Sequence, residues 1–104
     1  MLRKVLTIFI HHEFVYLTLF GNSFIICSAS VFYWLEKDQN PNVSSIIDAL
    51  WWAVVTMTTV GYGDIVPVTS LGRFVAFGTV MMGLVVIALF TGIIVRHFLT
   101  DVQK

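Results

Sequence analysis

The chain has 104 residues, 58% of them hydrophobic and 12% charged, and its formal net charge is zero, whereas soluble domains carry roughly 25% charge. That much apolar surface exceeds what a soluble domain of this size can bury, and no basic block is present to suit nucleic acid. The single cysteine, Cys27, excludes an intrachain disulfide.

Arg3 and Lys4 followed by Val5–Ile10 imitate the charged and apolar regions of a signal peptide, but His11, His12 and Glu13 interrupt the run. No small-residue cleavage site follows at the expected distance, so the segment reads as the entry of an outer helix over about residues 5–35. Phe14–Leu35 holds 22 residues without a formal charge, and about 20 apolar residues cross a bilayer as helix. Gly21-Asn22-Ser23 suits close contact with a neighbouring helix. Cys27 reads as an inert space-filler. His11 and His12 read as interfacial residues, with sensing of cytoplasmic pH as the sharper alternative. A zinc-protease pattern is absent, because the residue four after His12 is Tyr16.

Residues 36–43 form a polar outer loop, Glu-Lys-Asp-Gln-Asn-Pro-Asn leading it. Asn42-Val43-Ser44 is a formal glycosylation sequon, meaningful only in a eukaryotic secretory pathway. Residues 44–57 read as a short helix: Pro41 lies just upstream, and Ser45 and Asp48 have capping-box spacing with Asp in the place of Glu. Ile46–Met57 is too short to cross a bilayer and suggests a re-entrant element.

Residues 58–64, Thr58-Thr59-Val60-Gly61-Tyr62-Gly63-Asp64, alternate two glycines with larger residues. Glycine tolerates positive φ, so this alternation lets successive carbonyls point the same way instead of to opposite sides. A row of carbonyl oxygens can replace the water around a cation. Unpaired backbone at membrane depth must be enclosed by protein or line a watery path. One chain with two spans cannot enclose it, and several copies around an axis can, so the residues argue for an oligomer.

An inner helix follows over about residues 70–99. Its stretch Phe74–Val95 is apolar all round, so periodicity does not reveal a pore-facing side. Gly78, Gly83 and Gly92 within it call for packing or bending. Arg3, Lys4, Arg96 and Lys104 flank the outer ends of the chain against Lys37 and Arg73 between the spans, which puts both termini in the cytoplasm. Glu36, Asp38, Asp48 and Asp64 would then make the outward face acidic.

The run Thr59–Gly63 resembles the selectivity filter of tetrameric potassium channels. The likeness extends over about residues 14–99: Trp51-Trp52 in the short helix, Thr58-Thr59 before the filter, Asp64 after it, Pro67-Val68-Thr69, and Gly72-Arg73 at the inner-helix entrance. The resemblance implies an all-α membrane protein, with two transmembrane helices, a re-entrant pore helix and an extended filter, assembled as a fourfold homotetramer in the cell membrane among lipids. It implies that carbonyls of Thr59, Val60, Gly61 and Tyr62, with the Thr59 hydroxyl and with Gly63 completing the filter, hold nearly dehydrated potassium. No cofactor beyond the permeant ion is expected, and no enzymatic activity.

Filter support by the same resemblance falls to Trp51, Trp52, Val55, Thr58 and Asp64. Trp52 is expected to donate its indole N–H to Tyr62 of a neighbour, against a bland reading of both tryptophans as interfacial aromatics. Val55 stands where some related channels carry a glutamate bonded to the counterpart of Asp64, and its presence implies weaker filter inactivation. The carboxyl end of the pore helix would present partial negative charge to a cavity ion. Gly83 aligns with the family's hinge glycine, with close packing as the alternative. Gly83–Leu89, including Ile87, resembles the inner helices of voltage-gated potassium channels, although Phe90-Thr91-Gly92 replaces their proline-containing bend and leaves Gly92 as a second candidate for it. Thr91 reads as cavity-lining by alignment or as a back-bond to the preceding turn. Val95 and Leu99 share its face and would form an apolar constriction that gates by dewetting.

The leading functional expectation is passive, potassium-selective conduction. A weakly selective monovalent cation channel and a non-conducting membrane hairpin are the alternatives. Gly61-Tyr62-Gly63-Asp64 also resembles the Gly-x-Gly-Asp pattern of intramembrane aspartyl proteases, but neither long span carries the second carboxylate such chemistry needs. By the same resemblance the chain is either a two-span channel or a pore module of a longer protein with a voltage sensor or regulatory domain.

Overall fold

The structure is a computed structural model that describes residues 1–103; Lys104, counted above for orientation, lies outside them. Among the described residues the chain forms four helices, α1 (Leu2–Ile10), α2 (His12–Glu36), α3 (Ile46–Met57) and α4 (Ser70–Gln103), with no strand. The molecule is a narrow rod, 57 × 20 × 19 Å. Two helical stretches, His12–Glu36 and Ser70–Thr100, are long and apolar enough to cross a membrane. At 1.5 Å per residue α4 is about 50 Å long, more than a hydrocarbon core of about 30 Å requires, so it projects beyond the bilayer.

The sequence reading of one outer helix over about residues 5–35 is corrected. The backbone turns extended at His11 (φ −65°, ψ 134°), and α1 and α2 are separate helices joined there. The His11 N–H bonds Ile8 O at 3.2 Å, ending α1, and the His11 carbonyl accepts from Val15 N at 3.1 Å, starting α2. The short helix α3 begins at Ile46, with Ser45 as its cap in extended conformation (φ −146°, ψ 166°). Ser45 Oγ accepts from Asp48 N at 3.4 Å. Asp48 reaches back one residue further than a capping box does, accepting from Ser44 N at 2.9 Å and Ser44 Oγ at 2.8 Å. Those two donors hold the Asp48 carboxyl below the usual carboxylate range.

The α3 helix wedges between the upper parts of α2 and α4. Ala29, Phe32, Val43, Ala49, Trp52 and Ala53 form the core there. Small alanines at the crossings let the backbones approach, which is how helices associate where lipid is as apolar as the helix surface. Lower down, Gly21 is buried against Val86 of α4, as expected for a small residue at a helix contact. Ser28 and Thr79 bridge α2 and α4 by a buried hydroxyl pair at 2.5 Å.

Candidate functional site: an extended segment at the carboxyl end of the short helix

After Met57 the chain leaves the helix and runs extended. Thr58 N bonds Val54 O at 3.0 Å, Thr59 N bonds Thr56 O at 3.2 Å, and Gly61 N bonds Val55 O at 3.2 Å. The Thr58 hydroxyl also donates to Val54 O at 2.6 Å. The last carbonyls of α3 are therefore used to fasten the start of the segment, and Val55, itself buried, contributes its backbone.

Positive φ occurs at Thr59 (64°), Gly61 (59°) and Gly63 (81°) and not at Val60 or Tyr62 between them. This is an every-second-residue alternation of the kind the glycines suggested, and it includes Thr59, whose left-handed backbone the glycine spacing did not indicate. A left-handed threonine costs roughly 1–2 kcal/mol, so it marks a conformation imposed by its surroundings. Among the described residues no donor bonds the carbonyls of Thr59, Val60, Gly61, Tyr62 or Gly63, and the whole stretch from Thr58 to Asp64 is exposed on the single chain.

The mouth of the segment is braced by Trp51. Its indole lies parallel to the Tyr62 ring, centroids 5.9 Å apart and planes within 8°. Its N–H donates to Asp64 Oδ2 at 2.9 Å. Where Val55 leaves Asp64 without an acidic partner, the indole supplies one of a different kind. Trp52, expected to reach a neighbour, packs within its own chain: it is 4% exposed and stacks on Phe32 with centroids 3.7 Å apart.

The support that sequence reasoning missed is centred on Glu36. Counted above among the acidic groups of an outward face, it is instead fully buried, so Asp38, Asp48 and Asp64 remain for that face. Glu36 Oε1 accepts from Val68 N at 2.6 Å and Asn40 Nδ2 at 2.9 Å. Its Oε2 accepts from Thr69 N at 3.0 Å and from the Thr69 hydroxyl. Asn40 Nδ2 continues to Val66 O at 2.7 Å. The carboxylate thus ties the top of α2 to the segment just after the site and to the start of α4. Gly72 is needed beside it, since a Cβ there would stand 2.7 Å from Thr69 Oγ1 and collide with the carboxylate. The available signal was an acid directly after 22 uncharged residues with a glycine near the next helix start.

On α4, Gly83 is buried against the end of α3. A Cβ there would lie 3.0 Å from both the carbonyl carbon and the Cα of Met57 and collide with its oxygen. Close packing therefore explains Gly83 in this structure, and α4 runs unbroken through it and through Gly92. The Thr91 hydroxyl back-bonds Ile87 O at 2.9 Å. Ile87, Val95 and Leu99 are 40%, 47% and 57% exposed and share one face with Thr91 at four-residue spacing.

The family model described as "Ion channel" matches residues 20–100. The chain is 42% identical over 80 residues to the human potassium voltage-gated channel subfamily KQT member 4, covering 77% of this chain and 12% of that protein. It is 40% identical over 75 residues to a voltage-gated potassium channel of Aeropyrum pernix, covering 71% of this chain and 25% of that one. The chain thus spans a quarter or less of the length of these relatives. Among solved structures, a crystal structure of a voltage-gated K+ channel pore module in a closed state in lipid membranes superposes with a TM-score of 0.67 at 36% identity, covering 81% of this chain and 96% of that one.

Proposed function

This chain belongs to the ion channel family, and on that premise we propose that it conducts potassium selectively and passively across a membrane, four copies enclosing one pore. The observation that carries the reading is the left-handed alternation at Thr59, Gly61 and Gly63 together with a run of carbonyls that no donor among the described residues satisfies. Backbone oxygens without partners at membrane depth need either protein or an ion, and a cation entering between four such rows exchanges water for fixed dipoles. The potassium channels among its relatives favour potassium as that ion.

In this reading Thr59, Val60, Gly61 and Tyr62 supply the sites, Gly63 completes the turn outward, and the Trp51–Asp64 bond keeps the mouth from splaying. The carboxyl end of α3 adds partial negative charge beneath the filter. The face carrying Ile87, Thr91, Val95 and Leu99 lines the lower pore in this reading, and the excess of Lys and Arg near the outer ends of the two spans supports cytoplasmic termini. The greater length of the relatives supports the presence of gating domains outside this stretch.

The test is reconstitution of the full chain in planar bilayers under bi-ionic potassium and sodium gradients. A reversal potential displaced toward potassium equilibrium is expected. Equal permeability to the two ions would overturn selectivity in favour of a weakly selective cation channel, and absence of current from an assembled tetramer would overturn conduction.

A further inference from the structure

Asn40 belongs to a stretch whose composition reads as a polar turn, yet it is 4% exposed and each of its polar groups is engaged. Its backbone N–H donates to Glu36 O at 2.7 Å, and its carbonyl accepts from Val43 N at 3.1 Å. Its Oδ1 accepts from Asn42 N at 3.0 Å, and Nδ2 donates to Glu36 Oε1 at 2.9 Å. These four bonds lie within residues 36–43, and Pro41 stiffens the chain beside them. The second Nδ2 hydrogen leaves the loop and reaches Val66 O at 2.7 Å, 26 positions away. The residue type follows from this set: two hydrogens on one nitrogen with an acceptor beside them is the inventory of a carboxamide, whereas aspartate offers no hydrogen and serine one. Asn40 is thus a donor held still by its own loop and aimed at a distant carbonyl.

Val66 lies two residues beyond Asp64 and two before Val68. Three anchors therefore fall on alternate residues as the chain leaves the carbonyl row: Trp51 Nε1 on Asp64 at 2.9 Å, Asn40 on Val66, and Glu36 on Val68 N at 2.6 Å. They come from α3, from the loop and from the end of α2 respectively. Between Asp64 and Val68 the Val66 carbonyl is the backbone group that is hydrogen-bonded among the described residues. Pro67 has no N–H to give, and Ile65 adds an apolar contact with the core. Water competes for the exposed carboxylate of Asp64 and much less for a donor as buried as Asn40, so the middle anchor is the firmer of the two nearest the carbonyl row.

Resting on the channel reading, we propose that Asn40 is a positioning residue for the outer end of the ion path: by holding Val66 it fixes the direction in which the chain leaves Gly63, and with it the aim of the Tyr62 and Gly63 carbonyls. Those carbonyls have no donor of their own among the described residues. They are aimed by how the backbone is held on either side, by the Gly61 N bond to Val55 O before them and by the anchors at Asp64 and Val66 after them. A row of oxygens discriminates between cations by the number, field and spacing of its dipoles, and spacing changes when the exit strand shifts. Asn40 itself touches no ion and acts through Val66.

The experiment measures bi-ionic reversal potentials of the full chain in planar bilayers, because a permeability ratio does not depend on how many channels assemble and is not moved by a loss of folding alone. Asn40→Ala removes the carboxamide, and Asn40→Asp keeps its size and the acceptor for Asn42 N while removing both hydrogens. Each should lower the preference for potassium over sodium by about two- to tenfold, the span to which one hydrogen bond of ordinary strength corresponds. Asn42→Gln, at an exposed neighbour, should keep the wild-type ratio. A variant that does not assemble alone is co-assembled with an excess of wild-type chains. In parallel, a nitroxide attached through Val66→Cys in a Cys27→Ala background should become more mobile when Asn40→Ala is added. An unchanged ratio in conducting Asn40 variants overturns the proposal, and so does an unchanged label mobility. A wild-type chain that carries no current, with a label that Asn40→Ala frees, counts against the channel reading and leaves the hold of Asn40 on Val66 supported.

Discussion

Gly83 of the inner helix rests directly on the backbone of Met57, the last residue of the pore helix, with space for a hydrogen but not for a methyl group. The contact couples the two elements that flank the extended segment, since Met57 immediately precedes the Thr58 and Thr59 bonds that launch it.

Gly83→Ala is therefore expected to destabilise the protein and not merely to bias its opening. The obstruction is backbone, which cannot rotate aside, and overpacking of this kind costs roughly 1–3 kcal/mol. A lower melting temperature of the purified assembly checks it. Unchanged melting with reduced open probability would restore the hinge interpretation.

Glu36→Gln keeps the size of a buried group but removes acceptor capacity where Val68 N, Thr69 N, the Thr69 hydroxyl and Asn40 converge. Leaving a buried donor unsatisfied costs about 1–3 kcal/mol, so the variant should melt well below the wild type. Asp38→Asn, at an exposed position two residues after the end of α2, should melt as the wild type does.

Trp51→Phe preserves an aromatic face for Tyr62 and deletes the donor to Asp64. The lost bond is worth on the order of 1 kcal/mol at a solvent-exposed carboxylate and leaves Asp64 free to move away from the short helix. Current during a sustained stimulus is expected to decay faster than in the wild type, and single-channel recording measures it.

Gly61→Ala introduces a methyl group that meets nothing within 4 Å, so its whole effect falls on the backbone, whose φ of 59° disfavours an L side chain by about 1–2 kcal/mol. Relaxation to negative φ would turn a carbonyl out of the row. Loss of potassium preference in bi-ionic reversal potentials is the expected result.

Asp48 gives the pore helix an acid-sensitive start. Its pKa is lowered from 3.8 by the Ser44 backbone and hydroxyl donors, so its contribution to stability is present above that value and disappears as pH falls through the depressed one. Asp48→Asn should narrow the difference in melting temperature between about pH 7 and about pH 3.

The two spans were legible from residues alone because each requirement is local: a bilayer demands about 20 consecutive apolar residues, and that demand is written in Phe14–Leu35 and Phe74–Val95. The short capped helix and the glycine alternation after it were legible for the same reason, cap and φ preference being properties of a few adjacent residues. Contacts between distant segments were not. Glu36 looked like one more acid of a polar loop until Val68 and Thr69, more than 30 positions later, were seen to donate to it. Gly83 looked like a bend until Met57 occupied the space beside it.

The sequence by itself determined that this chain crosses a membrane twice and carries unpaired backbone between the crossings, because chain length, apolar run and glycine spacing act within one segment. Only the tertiary structure decided which tryptophan braces the segment, which carboxylate is buried where the chain goes on into α4, and that His97 stands against His11. Those outcomes depend on how α2, α3 and α4 cross, and the crossing is set by side-chain volumes summed over all three helices, a quantity that no local pattern expresses.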